Sequence, residues 1–149
     1  MKRILFLLCI FGALGTTPAL AKHPTEEQSC EMMSDMLLNQ RDGLGTLKSI
    51  FSLMKEDEID GITSKIYDII KNSDVRTGEL FEIGRLGNHA IEHLVAFGTR
   101  SRGSFYFRII YEPYGGNWRG VRIYFNTALD GTLKQWPMMQ QPRAVACSE

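Results

Sequence analysis

The hydrophobic period of this chain changes once, at Asp74, and that change constrains the fold more than any other feature. Before it, apolar residues recur every three or four positions, as on one face of an α-helix. After it they alternate with polar residues, as on strands with one buried face. Upstream, Thr25 stands as an N-cap with Glu26, Glu27 and Gln28 in the first turn. Cys30, Met33, Leu37 and Leu38 mark the buried face of this first helix, which Asp42-Gly43 ends. Thr46 then caps a second helix carrying Leu47, Ile50, Phe51 and Met54. Ile59, Ile62, Ile66, Ile69 and Ile70 make the stripe of a third, closed by Asn72-Ser73-Asp74.

Downstream, Phe81 and Ile83 flank Glu82 before a bend at Gly84, Gly87 and Asn88. Ile91, His93, Val95 and Phe97 alternate with Glu92, Leu94 and Ala96, and Phe105, Phe107, Ile109 and Tyr111 with Tyr106, Arg108 and Ile110. A turn at Pro113-Tyr114-Gly115-Gly116-Asn117 precedes a last strand with Val121, Ile123 and Phe125. The connections are too short for parallel crossovers, so the strands form an antiparallel meander. The fold class expected is α+β, with N-terminal helices packed on one face of a curved four-stranded antiparallel meander sheet.

The N-terminus reads as an export signal. Lys2 and Arg3 precede the uncharged apolar run Ile4–Leu14, and Ala19-Leu20-Ala21 is a small-x-small cleavage site. The run is too short and too interrupted by glycine, threonine and proline for a membrane span; as lipoprotein sites, Cys9 follows the bulky Phe6-Leu7-Leu8 and Cys30 lies outside the apolar run. The expected division is a signal peptide at 1–21, one α+β domain at 22–132 and an extended tail at 133–149. The mature chain is then periplasmic or secreted, with no membrane span. The 17 basic and 17 acidic side chains balance, and loss of Lys2 and Arg3 leaves a slightly acidic chain. Such a balance argues against nucleic-acid binding, which wants a strongly basic face. Cys9 leaves with the signal, so Cys30 and Cys147 remain, and in an oxidising compartment they are expected to pair. That bridge is worth ~4 kcal/mol by restriction of the unfolded chain.

The aromatic strand Ser104-Phe105-Tyr106-Phe107-Arg108 and the Gly116-Asn117-Trp118 turn leading into Val121–Phe125 carry a resemblance. Over roughly residues 44–126 the chain resembles small secreted bacterial proteins of unknown function with the nuclear-transport-factor-two-like (cystatin-like) α+β cone fold. That fold hosts enzymes, ligand binders and dimerisation modules, so the resemblance implies architecture more than activity. Its enzymes work inside a cone between helices and sheet, which here implies Tyr67, His93, Tyr106, Arg108, Tyr111 and Arg122 as candidate lining. No acid–base pair stands out among them.

His89-Ala90-Ile91-Glu92-His93 matches a zinc-peptidase pattern that needs a helix. On a strand the two histidines lie ~13 Å apart and cannot share a metal. The Met32-Met33-Met36 and Met138-Met139 groups suit Cu(I) in thioether chemistry, but methionines more often fill core gaps. Arg100, Arg102, Arg108, Arg119 and Arg122, interleaved with Tyr106, Tyr111 and Trp118, offer a docking surface for an anionic partner; the plainer reading is a solvated sheet face. No cofactor is implied, and no Ser/His/Asp set or phosphate loop is visible. The leading expectation is a non-enzymatic binding module for a protein or small ligand, with Tyr67, His93, Tyr106, Arg108, Tyr111, Trp118 and Arg122 as candidate binding residues. A small hydrolase or isomerase with its site in the cone, and a structural homodimer, are the alternatives.

Overall fold

The computed structural model describes residues 22–100, 103–129, 131 and 141–147. The signal peptide expected at 1–21 and most of the expected tail lie outside the described residues. The order is α1 (Pro24–Leu38), α2 (Gln40–Ile50), α3 (Glu56–Ile70), β1 (Val75–Leu86), β2 (Ala90–Thr99), β3 (Ser104–Tyr114), β4 (Asn117–Asn126) and β5 (Arg143–Val145). Helices come first and a strictly antiparallel sheet second, as the change of period requires. The sheet runs β4-β3-β2-β1-β5. Its fifth strand comes from the segment read as extended tail, and it pairs with β1 at Leu80↔Val145, Phe81↔Ala144 and Glu82↔Arg143.

The helix boundaries differ from the sequence reading in several places. α2 ends at Ile50, so Phe51 and Met54, read as part of the second helix, lie in the turn beyond it. Three further differences concern caps and glycine. His23, not Thr25, caps α1: its side chain accepts the Thr25 N–H, and Glu26 reaches back to the His23 amide in a capping box. Pro24 then occupies the first helical position, where its missing N–H costs nothing. The segment 22–25 is therefore structured. Second, α1 stops at Asn39, which is extended and caps α2 through its side chain. Gly43 lies inside α2 rather than between helices, and only glycine fits there, since a Cβ would sit 2.6 Å from the Met36 Cα. Glycine permits α1 and α2 to cross at backbone contact. Third, Thr46 is interior to α2 and donates to the Asp35 carboxylate instead of capping.

Helix packing fills the concave side of the sheet. Met32, Met33 and Met36 of α1, Leu44, Leu47 and Ile50 of α2, and Ile59, Ile66 and Ile70 of α3 meet Leu80, Val95, Phe97, Phe105, Phe107, Ile109 and Tyr111. Leu37 and Leu38 are exposed, so α1 presents a face rotated towards its methionines. Phe97 and Phe105 stack at 5.0 Å, and Phe107 and Phe125 continue the cluster at 5.2 Å. Cys30 of α1 and Cys147, just beyond β5, form a disulfide across a separation of 117 residues.

Two bulges decide which side chains share a face of the sheet. In β1 the register slips between Glu82 and Gly84, so Glu82 and Arg85, three residues apart, both point to the helix side. In β4 the slip falls against Ile110 and Tyr111, leaving Val121 as the extra residue.

Candidate functional site

The helix-facing side of β2 carries a histidine among hydrophobes. His93 sits two residues from Ile91 and Val95, so strand alternation turns it into the interior, and its exposure is 0%. Ser29, on the buried stripe of α1, meets it: Ser29 Oγ lies 2.8 Å from His93 Nδ1 and 2.7 Å from Tyr111 Oη. Ser29 and Tyr111 are likewise wholly buried. Tyr111 O–H to Ser29 Oγ, then Ser29 O–H to Nδ1, is the direction that uses both hydroxyl protons. It leaves the imidazole proton on Nε2, which has no partner among the described residues. Burial holds the His93 pKa down at about 4, with the nearby Glu82 and Glu26 charges opposing, so the ring is neutral at pH 7. Burial pushes the Tyr111 phenol well above its ordinary value. Sequence patterns do not reveal this Ser/His pair, because Ser29 and His93 are 64 residues apart and nothing in either flank marks them as neighbours.

Beside this trio lies an ion cluster at the junction of α1, β1 and β5. Arg85 donates two hydrogen bonds to Glu82, at 2.8 and 2.7 Å, a pairing that the β1 bulge makes geometrically available. Arg143 of β5 donates to Glu82 at 2.7 Å and to Glu26. The Arg85 hydrogen bonds, with help from Arg143 and against burial, hold the Glu82 carboxyl at about 2. Burial opposes ionisation of Glu26, but Arg143 outweighs it and the carboxyl is lowered. His23, at the α1 cap, packs edge-on against Trp118 at 5.0 Å.

These groups resemble acid–base machinery in composition but not in arrangement. A Ser–His pair needs a carbonyl beside the hydroxyl and an orienting partner on the far nitrogen. Here the hydroxyl is sealed on the buried face of α1, Nε2 has no partner among the described residues, and both carboxylates are already held by arginines. The space between helices and sheet, expected as a cone, is filled by aromatic and aliphatic side chains. Two shallow surface grooves lie elsewhere: one of about 400 Å³ between α2 and α3, and one of about 240 Å³ beside the α1–α2 corner.

The proposed lining residues therefore separate. His93 and Tyr111 meet inside. Tyr106, Arg108 and Arg122 lie on the opposite, outer face of the sheet, since they share register with Ala96, Leu94 and Ile110. Arg108 is not on a solvated face: it is 2% exposed and donates to Glu92 at 2.9 and 3.1 Å, with Tyr124 5.8 Å away under its guanidinium. Tyr67 lines the α2–α3 groove, where Arg41 donates to its hydroxyl at 3.0 Å and lies over its ring. Trp118 lies at the inner rim with His23. His89 is in the β1–β2 turn and His93 on β2, so the helix that a shared metal needs is not formed. Met32, Met33 and Met36 are core residues, while Met138 and Met139 lie outside the described residues. No protein-family model, curated protein or solved structure matches the chain.

Proposed function

We propose that the mature chain is an exported, non-enzymatic binding module, held rigid by its disulfide and engaging a partner through the outer face or an edge of its sheet. The observation that carries this reading is the closed interior. The polar groups best suited to chemistry, Ser29, His93 and Tyr111, have no exposed surface, while on the outside of β3 and β4 Arg122 is exposed and Tyr106 and Tyr124 are half-buried. Aromatic and arginine residues are the types enriched at protein interfaces. The N-terminal n-region, apolar run and cleavage site support a periplasmic or secreted location, and the Cys30–Cys147 bridge suits an oxidising compartment. Within this reading the fold is a cone-type scaffold whose cone has been packed solid. Affinity capture from an extracytoplasmic extract on the immobilised oxidised protein, with rebinding of the purified captured component, tests it. Recovery of nothing above a blank column, together with no thermal shift across a small-ligand panel, removes the proposal.

One observation favours a second reading, a small hydrolase: the 2.8 Å contact of Ser29 with His93. It requires α1 to lift away from the sheet. Labelling of Ser29 by a fluorophosphonate probe supports it, and an unlabelled protein disposes of it.

A further inference from the structure

The two edges of the sheet are built differently. At one end β1 is covered by β5, and β5 is fastened by Arg143 and by the disulfide next to it. At the other end β4, ten residues long, pairs with β3 alone among the described residues. An edge strand presents unpaired backbone donors and acceptors, a template for another chain. The first part of β4 is occupied. Gln28 of α1 donates to the Trp118 carbonyl at 3.3 Å, and Gly120 is buried against Ile50, the last residue of α2, and Phe51, which caps it. Beyond the Val121 bulge no helix covers Arg122–Phe125 in this way among the described residues, while Asn126 accepts the Ala128 N–H and lies against Gly131. The segment's inward residues, Ile123 and Phe125, pack on the core yet remain only partly buried. On its outward side stands Arg122, which reaches the Tyr124 hydroxyl at 3.4 Å. Arg119 is the other charged residue of β4, and neither arginine has an acidic partner within salt-bridge distance among the described residues.

Resting on the reading of the chain as a binding module, we infer that the Arg122–Asn126 edge of β4 receives an extended acidic segment of a partner protein by strand addition. Main-chain hydrogen bonds hold the segment. Its alternate residues divide between the two faces. Apolar ones complete the cover over Ile123 and Phe125, and acidic ones meet Arg122. A second copy of this chain fits poorly. In a two-fold antiparallel pairing of this short segment Arg122 stands opposite Asn126 of the other copy, so a second copy offers neither arginine an acidic partner. The bulge at Val121 further interrupts a long self-pairing, as bulges at protected edges do.

The test is titration of the isotope-labelled oxidised protein with an end-capped alternating Glu-Val heptapeptide and with its Lys-Val counterpart. The expected result is amide shifts and slowed exchange confined to residues 122–126, with at least about tenfold weaker binding of the Lys-Val peptide. Arg122→Glu, at an exposed position, reverses the preference while amide signals elsewhere stay in place. Equal affinity for both peptides, perturbation centred elsewhere, no binding at millimolar peptide, or peptide-independent dimers joined through 122–126 each overturn the inference. A partner captured equally by wild type and Arg122→Glu sinks the edge assignment and leaves the binding module standing.

Discussion

Lowering the pH from 7 to 4.5 destabilises the fold through His93, and the size follows from its burial. The ring is wholly enclosed and held at about 4 against an ordinary 6.5. The folded state therefore refuses a proton that the unfolded chain accepts. His93 contributes its full share of stability above pH 6.5 and loses it progressively as the pH falls through about 4. A shift of that size is worth about 3 kcal/mol in total, at 1.36 kcal/mol per unit. Between pH 7 and 4.5 roughly 2.4 kcal/mol of it is lost. Glu82 and Glu26 act in a lower window, because their lowered carboxyls begin to bind protons in the unfolded chain only near 4.5. His23 shifts in the same direction as His93, mainly through burial, so the pH dependence must be taken as a difference between variants. Urea unfolding of wild type and His93→Gln at both pH values isolates the contribution: the variant is less stable at pH 7 but lacks most of the additional loss. An unchanged pH slope in His93→Gln, or an imidazole titrating near 6.5 by NMR, refutes the argument that burial governs this ring.

The packing dictates three further outcomes. Reduction of Cys30–Cys147 removes about 4 to 5 kcal/mol of unfolded-state restriction and exposes the β5 amides to exchange first; unchanged protection of Arg143–Val145 contradicts it. Gly43→Ala costs about 1 to 3 kcal/mol despite the better helix propensity of alanine, since the new methyl meets the Met36 backbone; a raised Tm refutes the close crossing. Phe107→Ala, at the centre of the aromatic cluster, costs about 3 to 5 kcal/mol in denaturant unfolding, and a loss below about 1 kcal/mol denies the packed interior.

Periodicity made the elements legible, and contact chemistry hid the site. The isoleucine stripe of α3 and the alternation in β2 and β3 each repeat one signal over a dozen residues, which is why their faces are readable from the chain alone. Asn39 is a single residue without repetition, and its role as joint between α1 and α2 depends on Gly43 meeting Met36, a contact no local pattern encodes. His93 is visible as an inward strand residue. Its partner Ser29 is not: it stands at one-face helical spacing with Met32, Met33 and Met36, but a serine adds nothing to an apolar stripe, so the pattern does not mark it as buried. The grouping of Glu82 with Arg85 depends on a bulge that shifts one residue across the pleat, and strict alternation assigns the pair to opposite faces. Outer-face residues Tyr106 and Arg122 are identifiable as a set, yet the inward or outward sense of a whole strand is fixed only by what packs on it.

The closing of the sheet by β5 belongs to the oxidised molecule as much as to the sequence. Three ladder residues supply hydrogen bonds worth about 0.5 to 1.5 kcal/mol each, net of their exchange with water. Ordering the same backbone costs about 1 to 2 kcal/mol per residue. A strand this short, reached through a long connection from β4, does not hold itself. Arg143, bridging Glu26 of α1 and Glu82 of β1, adds contacts to charged groups, and Val145 buries its side chain in the core. Those terms still leave the strand near balance, so the covalent tie at Cys147 decides it by confining Arg143–Val145 to the neighbourhood of β1 before any of the weaker contacts form. The α1 helix is thus tied at its centre to the far edge of the sheet, over the same buried Ser29 and His93 that acid attacks. Oxidation and neutral pH therefore act on one junction, and loss of either loosens α1 and β5 together while leaving the β2–β3–β4 meander its own register.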